Sequence, residues 1–473
     1  MRIIIMLIVS WFFTPVIAKN LYVNNSGTPV CSNATTYAAN SAAQPWCTIM
    51  RAARGGDRYD AAVAAEAAQP GDVVFITEGI YWENGQVGQY ARFSVHLNPV
   101  NNGTAANPIT FRGVGNVNIR INAGFRGGTI GCSFRDYIIW DNFKIEDYYQ
   151  GSTSDTGPVV FHASNFCQLL NSDITGHPGS YYHGYTTFVA NYRGISLEPA
   201  RNTIVRNNRI HDMPGGQNEC GIMAYDSNDN IIENNTIYNN GCGIFIKGQH
   251  SGQTQSRNII RKNLVYGNRH SNIRVLAAQD TLIYQNIVHS SSSVGLWAGF
   301  GTSERSRFFN NTVYGVATAI VAQGAELIDV RFFNNIYVNI SGQVFDDWSV
   351  TSPMVQDVRY DRNVYFNYTT FYNNQNNRSA NMTFEQFRSA GYEANGGSFN
   401  PAFVDPSNLN FRLQSSSAAR TIGRDSLNMF GFGLDANIPA GAYVTGNEVI
   451  GASTNPVPAP IRLSAPTNLR IGI

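Results

Sequence analysis

The sequence predicts an all-β solenoid in which short strands and turns stack coil upon coil. Three observations predict it: a phrase that keeps returning, the length of its period, and the residues that fill it. Between Arg201 and Asn339 an aliphatic pair is followed by one or two polar residues, an Asn, one further residue and an apolar one. It reads Ile204-Val205-Arg206-Asn207-Asn208-Arg209-Ile210 and Ile231-Ile232-Glu233-Asn234-Asn235-Thr236-Ile237. It returns at Ile259 to Val265 and Leu282 to Val288, and in aromatic form at Phe308 to Val313 and Phe332 to Tyr337. The equivalent residues Asn208, Asn235, Asn263, Asn286, Asn311 and Asn335 are separated by 27, 28, 23, 25 and 24 residues. A period in this range marks a solenoid or array. It is too short for two packed helices per repeat, and apolar β-type runs between Gly, Asn and Ser clusters read as strands and turns. Three short strands and three turns use about two dozen residues at roughly 3.3 Å per strand residue. Stacking such coils sets each Asn above the last, where buried amides bond to one another and to turn backbone.

The Asn-x-Ile phrase, with the Gly-Ile-x-Ile strand starts between its copies, resembles the right-handed parallel β-helix of the pectate-lyase-like superfamily over most of the chain. That resemblance implies a single-stranded right-handed parallel β-helix with an N-terminal helical cap. It is specific for fold and weak for activity.

Taken in order, Arg2, the apolar run Ile3 to Val9 and the stretch ending Val16-Ile17-Ala18 describe a secretory signal peptide over 1–18. The apolar run is too short for a good membrane span. Residues 19–105 form the cap and first strands: a short strand at Leu21-Tyr22-Val23, helix from Trp46 to Ala53 and from Ala61 to Ala68 with Gly55-Gly56 between, then a strand after Pro70-Gly71-Asp72. The first coil has an open apolar end and an unpaired strand edge, and the cap covers both. The β-helix occupies 106–415, with Tyr360 to Tyr365 as its last clear phrase and a short helix at Thr383 to Ala390. Residues 416–473 form a C-terminal cap and a Pro- and Ala-rich tail.

A net charge of +1 gives no electrostatic reason to expect nucleic acid or an anionic membrane as partner. The expectation is a secreted or periplasmic monomer. Six cysteines fit an oxidising compartment. Cys31 and Cys47 could staple the N-terminal segment. Cys220 and Cys242 occupy equivalent places in neighbouring coils, either as a disulfide or as stacked thiols, and Cys132 and Cys167 are ambiguous.

Function on such a fold is read across coils, because outward side chains of successive strands form columns. Aligning Gly194-Ile195, Gly221-Ile222, Gly243-Ile244 and Asn272-Ile273 gives two. One is Ser196, Met223, Phe245 and Arg274; the other is Glu198, Tyr225, Lys247 and Leu276, with His162 before them. This is the densest group of ionisable residues in a chain that is only 14% charged, so it is the first place to look for chemistry. It suits attack on an acidic polysaccharide. In β-elimination a proton leaves the carbon next to a uronate carboxylate, and a cation must first neutralise that carboxylate. Lys247 is the candidate base, with Tyr225 and His162 competing for that role. Arg274 would pair with the carboxylate in the bidentate way that Lys cannot. Tyr181, Tyr182, His183 and Arg193, in and beside an aromatic insertion, are the substrate-binding candidates. Glu198, Glu219 and Asp226 would hold Ca²⁺ through oxygen ligands.

Lyases of the superfamily look similar in using Lys and Arg on one face, often with Ca²⁺; the match reaches Lys247 and Arg274. Ile244, Phe245 and Ile246 stand where an acidic cluster would precede the lysine. A glycoside hydrolase on the same fold would need two carboxyl groups, Glu198 with Asp226 or Glu219 with Asp226. A non-catalytic carbohydrate-binding or adhesin-like protein would instead use exposed aromatics such as Tyr181, Tyr182, Trp297 and Phe300. The column His211, Tyr238, Tyr266, His289 and Tyr314 reads as an aromatic stack.

Overall fold

Parallel pairing begins at Asn20, the second residue after the expected signal segment, and continues almost without interruption. In this computed structural model the described residues are 18–83, 95–121, 128–146, 157–176, 193–213, 216–248, 255–299, 301–323, 327–347, 358–374 and 381–453. Residues 1–17, most of the expected signal peptide, and the tail from 454 lie outside them. Asn20–Val23 pairs in parallel with Val73–Glu83, which pairs with Ile109–Ile121, so the stack starts well before residue 106. The early strands, expected among the first strands of 19–105, lack the Asn phrase.

Each regular coil contributes a strand to three faces, and all pairs between coils are parallel. On the first face Val159–His162, Ile195–Leu197, Cys220–Tyr225, Cys242–Lys247 and Ser271–Leu276 lie side by side. The second face carries the aliphatic pairs of the phrase, such as Ile204–Arg206 on Ile231–Glu233. The third carries the residues after the Asn, such as Arg209–His211 on Thr236–Tyr238. In the last coils the turn between third and first faces shrinks to a bulge, and one strand serves both, as in Ile287–Gly299 on Thr312–Gln323. The core runs along the axis as columns of Ile, Val and Leu, giving way to stacked rings such as Phe308 on Phe332 with centroids 4.5 Å apart.

The Asn-Asn pairs divide two tasks. The first residue takes a left-handed backbone conformation at the corner, φ 58° at Asn207 and 55° at Asn234, which Asn tolerates better than most residues. The second points inward and forms the ladder: Asn208 donates to Asn235, Asn235 to Asn263, Asn263 to Asn286 and Asn286 to Asn311, each through Nδ2 to Oδ1 at 3.0 Å. The same Oδ1 atoms accept the neighbouring backbone N–H, as from Asn235 N to Asn263 at 3.0 Å. At the far end Glu393 takes the place of the next Asn, accepting from Asn363 Nδ2 at 2.8 Å and from the Tyr365 hydroxyl at 2.7 Å.

The cap contains one helix, α1 (Ile49–Arg54), with Thr48 as N-cap and Gly55 closing it at φ 76°. It buries Ile49, Met50, Ala52 and Ala53 against the first strands. The second helix expected over Ala61 to Ala68 shrinks to one 3₁₀ turn, Ala64–Glu66, because residues 61–65 stay exposed and have no apolar face to bury. At the other end α2 (Phe384–Ser389) starts in a capping box formed by Thr383 and Gln386 and plugs the last coil with Phe384 and Phe387. An antiparallel pair, Phe403–Asp405 with Asn410–Leu413, follows. The chain from Arg424 then runs back along the stack as a strap over the outer corner amides. Asn334 donates to Arg424 O at 2.7 Å, Asn310 to Pro439 O at 2.9 Å and Asn234 to Val449 O at 2.6 Å, and Ser453 N donates to Asn207 Oδ1 at 2.5 Å.

The cysteines pair as Cys31–Cys47, Cys132–Cys167 and Cys220–Cys242, with Cα atoms 5.0, 6.9 and 4.3 Å apart. The Cys220–Cys242 link joins residues in register on the first face. Among the described residues no helix is long and apolar enough to cross a membrane.

Both ends of the stack hold a buried carboxyl group. Glu83 accepts from Ile49 N at 3.1 Å at the start of α1, and burial pushes its pKa up to about 7; Glu393 is raised to about 7 for the same reason. Between the ordinary carboxyl range and pH 7 the folded chain therefore binds more protons than the unfolded one. This contribution is fully present below the unfolded pKa and is lost as pH rises through about 7, by up to roughly 3 kcal/mol per group. Stability to denaturant should fall from pH 5 to pH 8, and Glu393→Gln should flatten part of that slope. An unchanged slope in that variant would remove Glu393 from the account.

Candidate functional site

The first face owes its columns to register alone. Tyr225 lies opposite Lys247, Phe245 opposite Arg274, and Arg274 opposite Trp297, as the strand alignment predicts. Period-2 alternation turns Ile222, Ala224, Ile244 and Ile246 into the core and leaves the intervening residues on the outer side.

Outward does not mean open to solvent here. Tyr225 and Lys247 are part-exposed, with Lys247 Nζ 5.2 Å from the Tyr225 ring centroid and 5.9 Å from that of Phe245. Arg274, in contrast, is 4% exposed. Its guanidinium lies 3.7 Å from the Phe245 centroid and 5.3 Å from that of Trp297. It donates to Gln217 O at 3.0 Å and to Asn218 Oδ1 at 3.3 Å. The turn preceding the Tyr225 strand thus folds over it, and burial lowers its pKa to about 10. The bidentate contact with a substrate carboxylate expected of Arg274 is replaced by contacts within the protein. It supplies fixed positive charge behind Phe245 instead.

Arg193 is also buried, 1% exposed, and forms an ion pair with Glu198 while its guanidinium lies 5.0 Å from the Tyr225 ring centroid. Its expected role as a surface contact to substrate gives way to a support beneath Tyr225. His162 bonds through Nδ1 to the Glu198 carbonyl, and burial pushes its pKa down. Phe134 stands edge-on to His162, with centroids 5.1 Å apart. Tyr181, Tyr182 and His183 lie outside the described residues.

The three carboxylates expected to hold Ca²⁺ are not brought together. Glu198 is engaged by Arg193, Glu219 accepts from Asn218 N at 3.1 Å within its own turn, and Asp226 sits in the corner after Tyr225 at φ 46°. Among the described residues no three His, Cys, Asp or Glu side chains converge as a metal-binding group, so these residues do not fit a cation that takes six to eight oxygens. In the hydrolase pairing of Glu198 with Asp226, the Glu198 carboxyl is engaged by Arg193.

One feature escaped the sequence reading. His270 stacks on Trp297 with centroids 5.5 Å apart, and burial together with the Arg274 charge lowers its pKa. It precedes its strand start and so falls outside an alignment keyed on Gly-Ile. Trp297 is 8% exposed, packed in a small cluster with Phe245, Met223 and Val321 rather than offered as a sugar platform. Phe300, beside it in sequence, lies outside the described residues. The third-face column forms the expected stack over four residues, His211 on Tyr238 at 4.6 Å, Tyr238 on Tyr266 at 5.0 Å and Tyr266 on His289 at 4.7 Å, while Tyr314, in register after His289, tilts against Phe411 at 5.1 Å.

Comparison with known proteins bears on this framework. The family described as "Right handed beta helix region" matches residues 193–358, and the fold is a right-handed parallel β-helix. A search of the curated proteins finds no significant match. Among solved structures, the pectate lyase Pel9A superposes with a TM-score of 0.50 at 13% identity, covering 91% of this chain and 97% of that one. A mannuronic acid specific polysaccharide family 6 lyase from human gut microbiota gives 0.49 at 13% identity, covering 82% and 92%. XylC in complex with xylose gives 0.46 at 11% identity, covering 82% and 87%.

Proposed function

We propose that this chain is an exported polysaccharide lyase that cleaves a uronate-containing polymer by β-elimination at the first face. The observation that carries the reading is the cationic and phenolic group there. Tyr225 and Lys247 stand part-exposed and in register, with buried Arg193 and Arg274 behind them. A uronate entering this face meets positive potential fixed by the fold, which favours the charge that builds on its carboxylate as the neighbouring proton leaves.

Lys247, acting as the neutral amine, takes that proton from the ring carbon next to the carboxylate. The electron pair left behind forms a carbon–carbon double bond, the glycosidic carbon–oxygen bond at the next carbon breaks, and the departing oxygen takes a proton, for which Tyr225 is the near donor. Every atom is accounted for without water or an oxidant. Arg274 and Arg193 act as positioning residues, since both are buried and held by protein partners. Calcium has no part in the reading, because Glu198, Glu219 and Asp226 do not converge. The likeness to Pel9A supports the fold on which such chemistry would be built. Three disulfides support an oxidising compartment outside the cytoplasm.

The test is a panel of uronate polymers. Lyase action releases products that absorb in the ultraviolet as unsaturated uronates. New reducing ends without that absorbance would move the chain to the hydrolases, and binding without turnover would make it a carbohydrate-binding protein.

A further inference from the structure

Strands of the first face end at the same kind of corner in successive coils. Phe134 N donates to His162 O, Asp226 N to Lys247 O and Ala277 N to Gly299 O, with left-handed backbone at φ 54°, 46° and 48°. In register along this corner stand Ala163, Pro199, Asp226, Gly248 and Ala277, all compact residues. Phe134 is the exception. A bulky residue in this conformation is uncommon and costs conformational energy. Burial does not offset that cost, because Phe134 is 65% exposed. Packing therefore gives no account of an aromatic ring at this position.

The corner nevertheless fixes the residue. Arg135 donates from Nη1 to the Phe134 carbonyl at 2.7 Å and from Nε to Pro99 O at 2.8 Å. The ring meets His162 at an interplanar angle of 87°. Register ties it to the first-face site. Ser133, just before Phe134, pairs with His162; Leu197, just before Glu198, pairs with Phe161 and Ala224; Tyr225 pairs with Lys247. Phe134 thus stands four coil steps from Lys247, roughly 19 Å at about 4.8 Å per step. His162 and Tyr225 are part-exposed along the way, and Glu198 lies buried in its ion pair with Arg193. A pyranose in an extended chain is about as long as one such step.

We propose that Phe134 is a remote subsite of the first face: the polymer lies along the stack axis, and a sugar about four residues from the cleaved bond stacks its C–H side on the Phe134 ring. The inference rests on the lyase reading for the place of the cut. Covering an exposed ring with the C–H side of a pyranose removes apolar area from water on both partners. A chain too short to span from Lys247 to Phe134 gains nothing from the contact. The subsite therefore selects for chain length, and it anchors the polymer without touching the reacting atoms.

The experiment compares the full chain with Phe134→Ala and Phe134→Tyr on trimers and octamers of galacturonate, mannuronate and glucuronate. Product release is followed by ultraviolet absorbance and binding by calorimetry. Alanine already occupies the next corner in register, Ala163 at φ 46°, so Phe134→Ala should keep the fold, which circular dichroism checks. In Phe134→Ala the KM for the cleaved octamer should rise about tenfold at unchanged kcat, the trimer should be unaffected, and Phe134→Tyr should restore the octamer. Turnover with the octamer KM unmoved in Phe134→Ala, or raised equally for trimer and octamer, would defeat the subsite and leave the lyase reading standing. Octamer binding that weakens in Phe134→Ala without turnover of any polymer would defeat the lyase reading and leave the subsite. Absence of both turnover and Phe134-dependent binding would defeat the two together.

Discussion

Lys247→Ala is expected to lower kcat/KM on the cleaved uronate polymer by about 10²–10⁴-fold, the usual worth of a positioned proton-transfer group. The melting transition should stay where it is. Lys247 ends its strand, is part-exposed and makes no ion pair among the described residues, so the fold does not lean on its charge. What it touches is the Tyr225 and Phe245 rings, at 5.2 and 5.9 Å from their centroids. The measurement is the growth of ultraviolet absorbance under single-substrate conditions, with circular dichroism to confirm the coil stack. Full activity in a folded Lys247→Ala protein would end the assignment of Lys247 as base.

The second large effect is on stability. Asn263 is fully buried and serves three coils at once. Its Oδ1 accepts from Asn235 N and Asn235 Nδ2, each at 3.0 Å, and its Nδ2 donates to Ile232 O at 2.9 Å and Asn286 Oδ1 at 3.0 Å. Asn263→Ala leaves several of these groups buried without a partner. At roughly 1–3 kcal/mol for each orphaned group, the loss is on the order of 4 kcal/mol. A folded protein holds only about 5–15 kcal/mol in all, so the variant should shift the denaturant midpoint far and lower the folded yield. The control is Asn239→Ala at an exposed corner, where the left-handed φ of 56° limits the expected cost to about 1–2 kcal/mol. Equal midpoints for the two variants would mean that the ladder does not hold the register.

These two residues mark where sequence reasoning works on this fold. The ladder is legible because burial and period coincide: an Asn that must meet the same atom in every coil recurs at the coil length. Once the coil length is known, Tyr225 and Lys247 fall into one column by counting. Arg274 falls into its column too, but counting gives only the side of the strand. Whether that side is covered depends on where a neighbouring turn lies, and the Gln217 and Asn218 contacts that bury Arg274 come from residues 56 and 57 positions away. The same limit governs Glu198. Its charge suggested a metal ligand, while its partner Arg193 stands just before the same strand, so close in sequence that no column could pair them. Helix over Ala61 to Ala68 failed for a different reason: alanine favours helix, yet without a buried face its propensity is a weak prior. The strands at Asn20–Val23 and Val73–Glu83 fall where first strands were expected, but they pair without an Asn to announce that they already belong to the stack.

The returning strap changes what kind of object the stack is. In a plain solenoid each coil answers only to its two neighbours, and the terminal coils can peel away one at a time. Here Asn207 and Ser453, 246 residues apart, share a hydrogen bond, as do Asn234 and Val449 at 215. The strap spans the corner from the Asn334 coil to the Asn207 coil, so the intervening turns are tied like pages to a spine. Peeling from the C-terminal end must first strip that spine, and opening becomes a collective event rather than a sequence of small ones. The spine follows in sequence the coils it binds. It finds its seat only on coils already formed, which makes it a latch that shuts once the stack is complete.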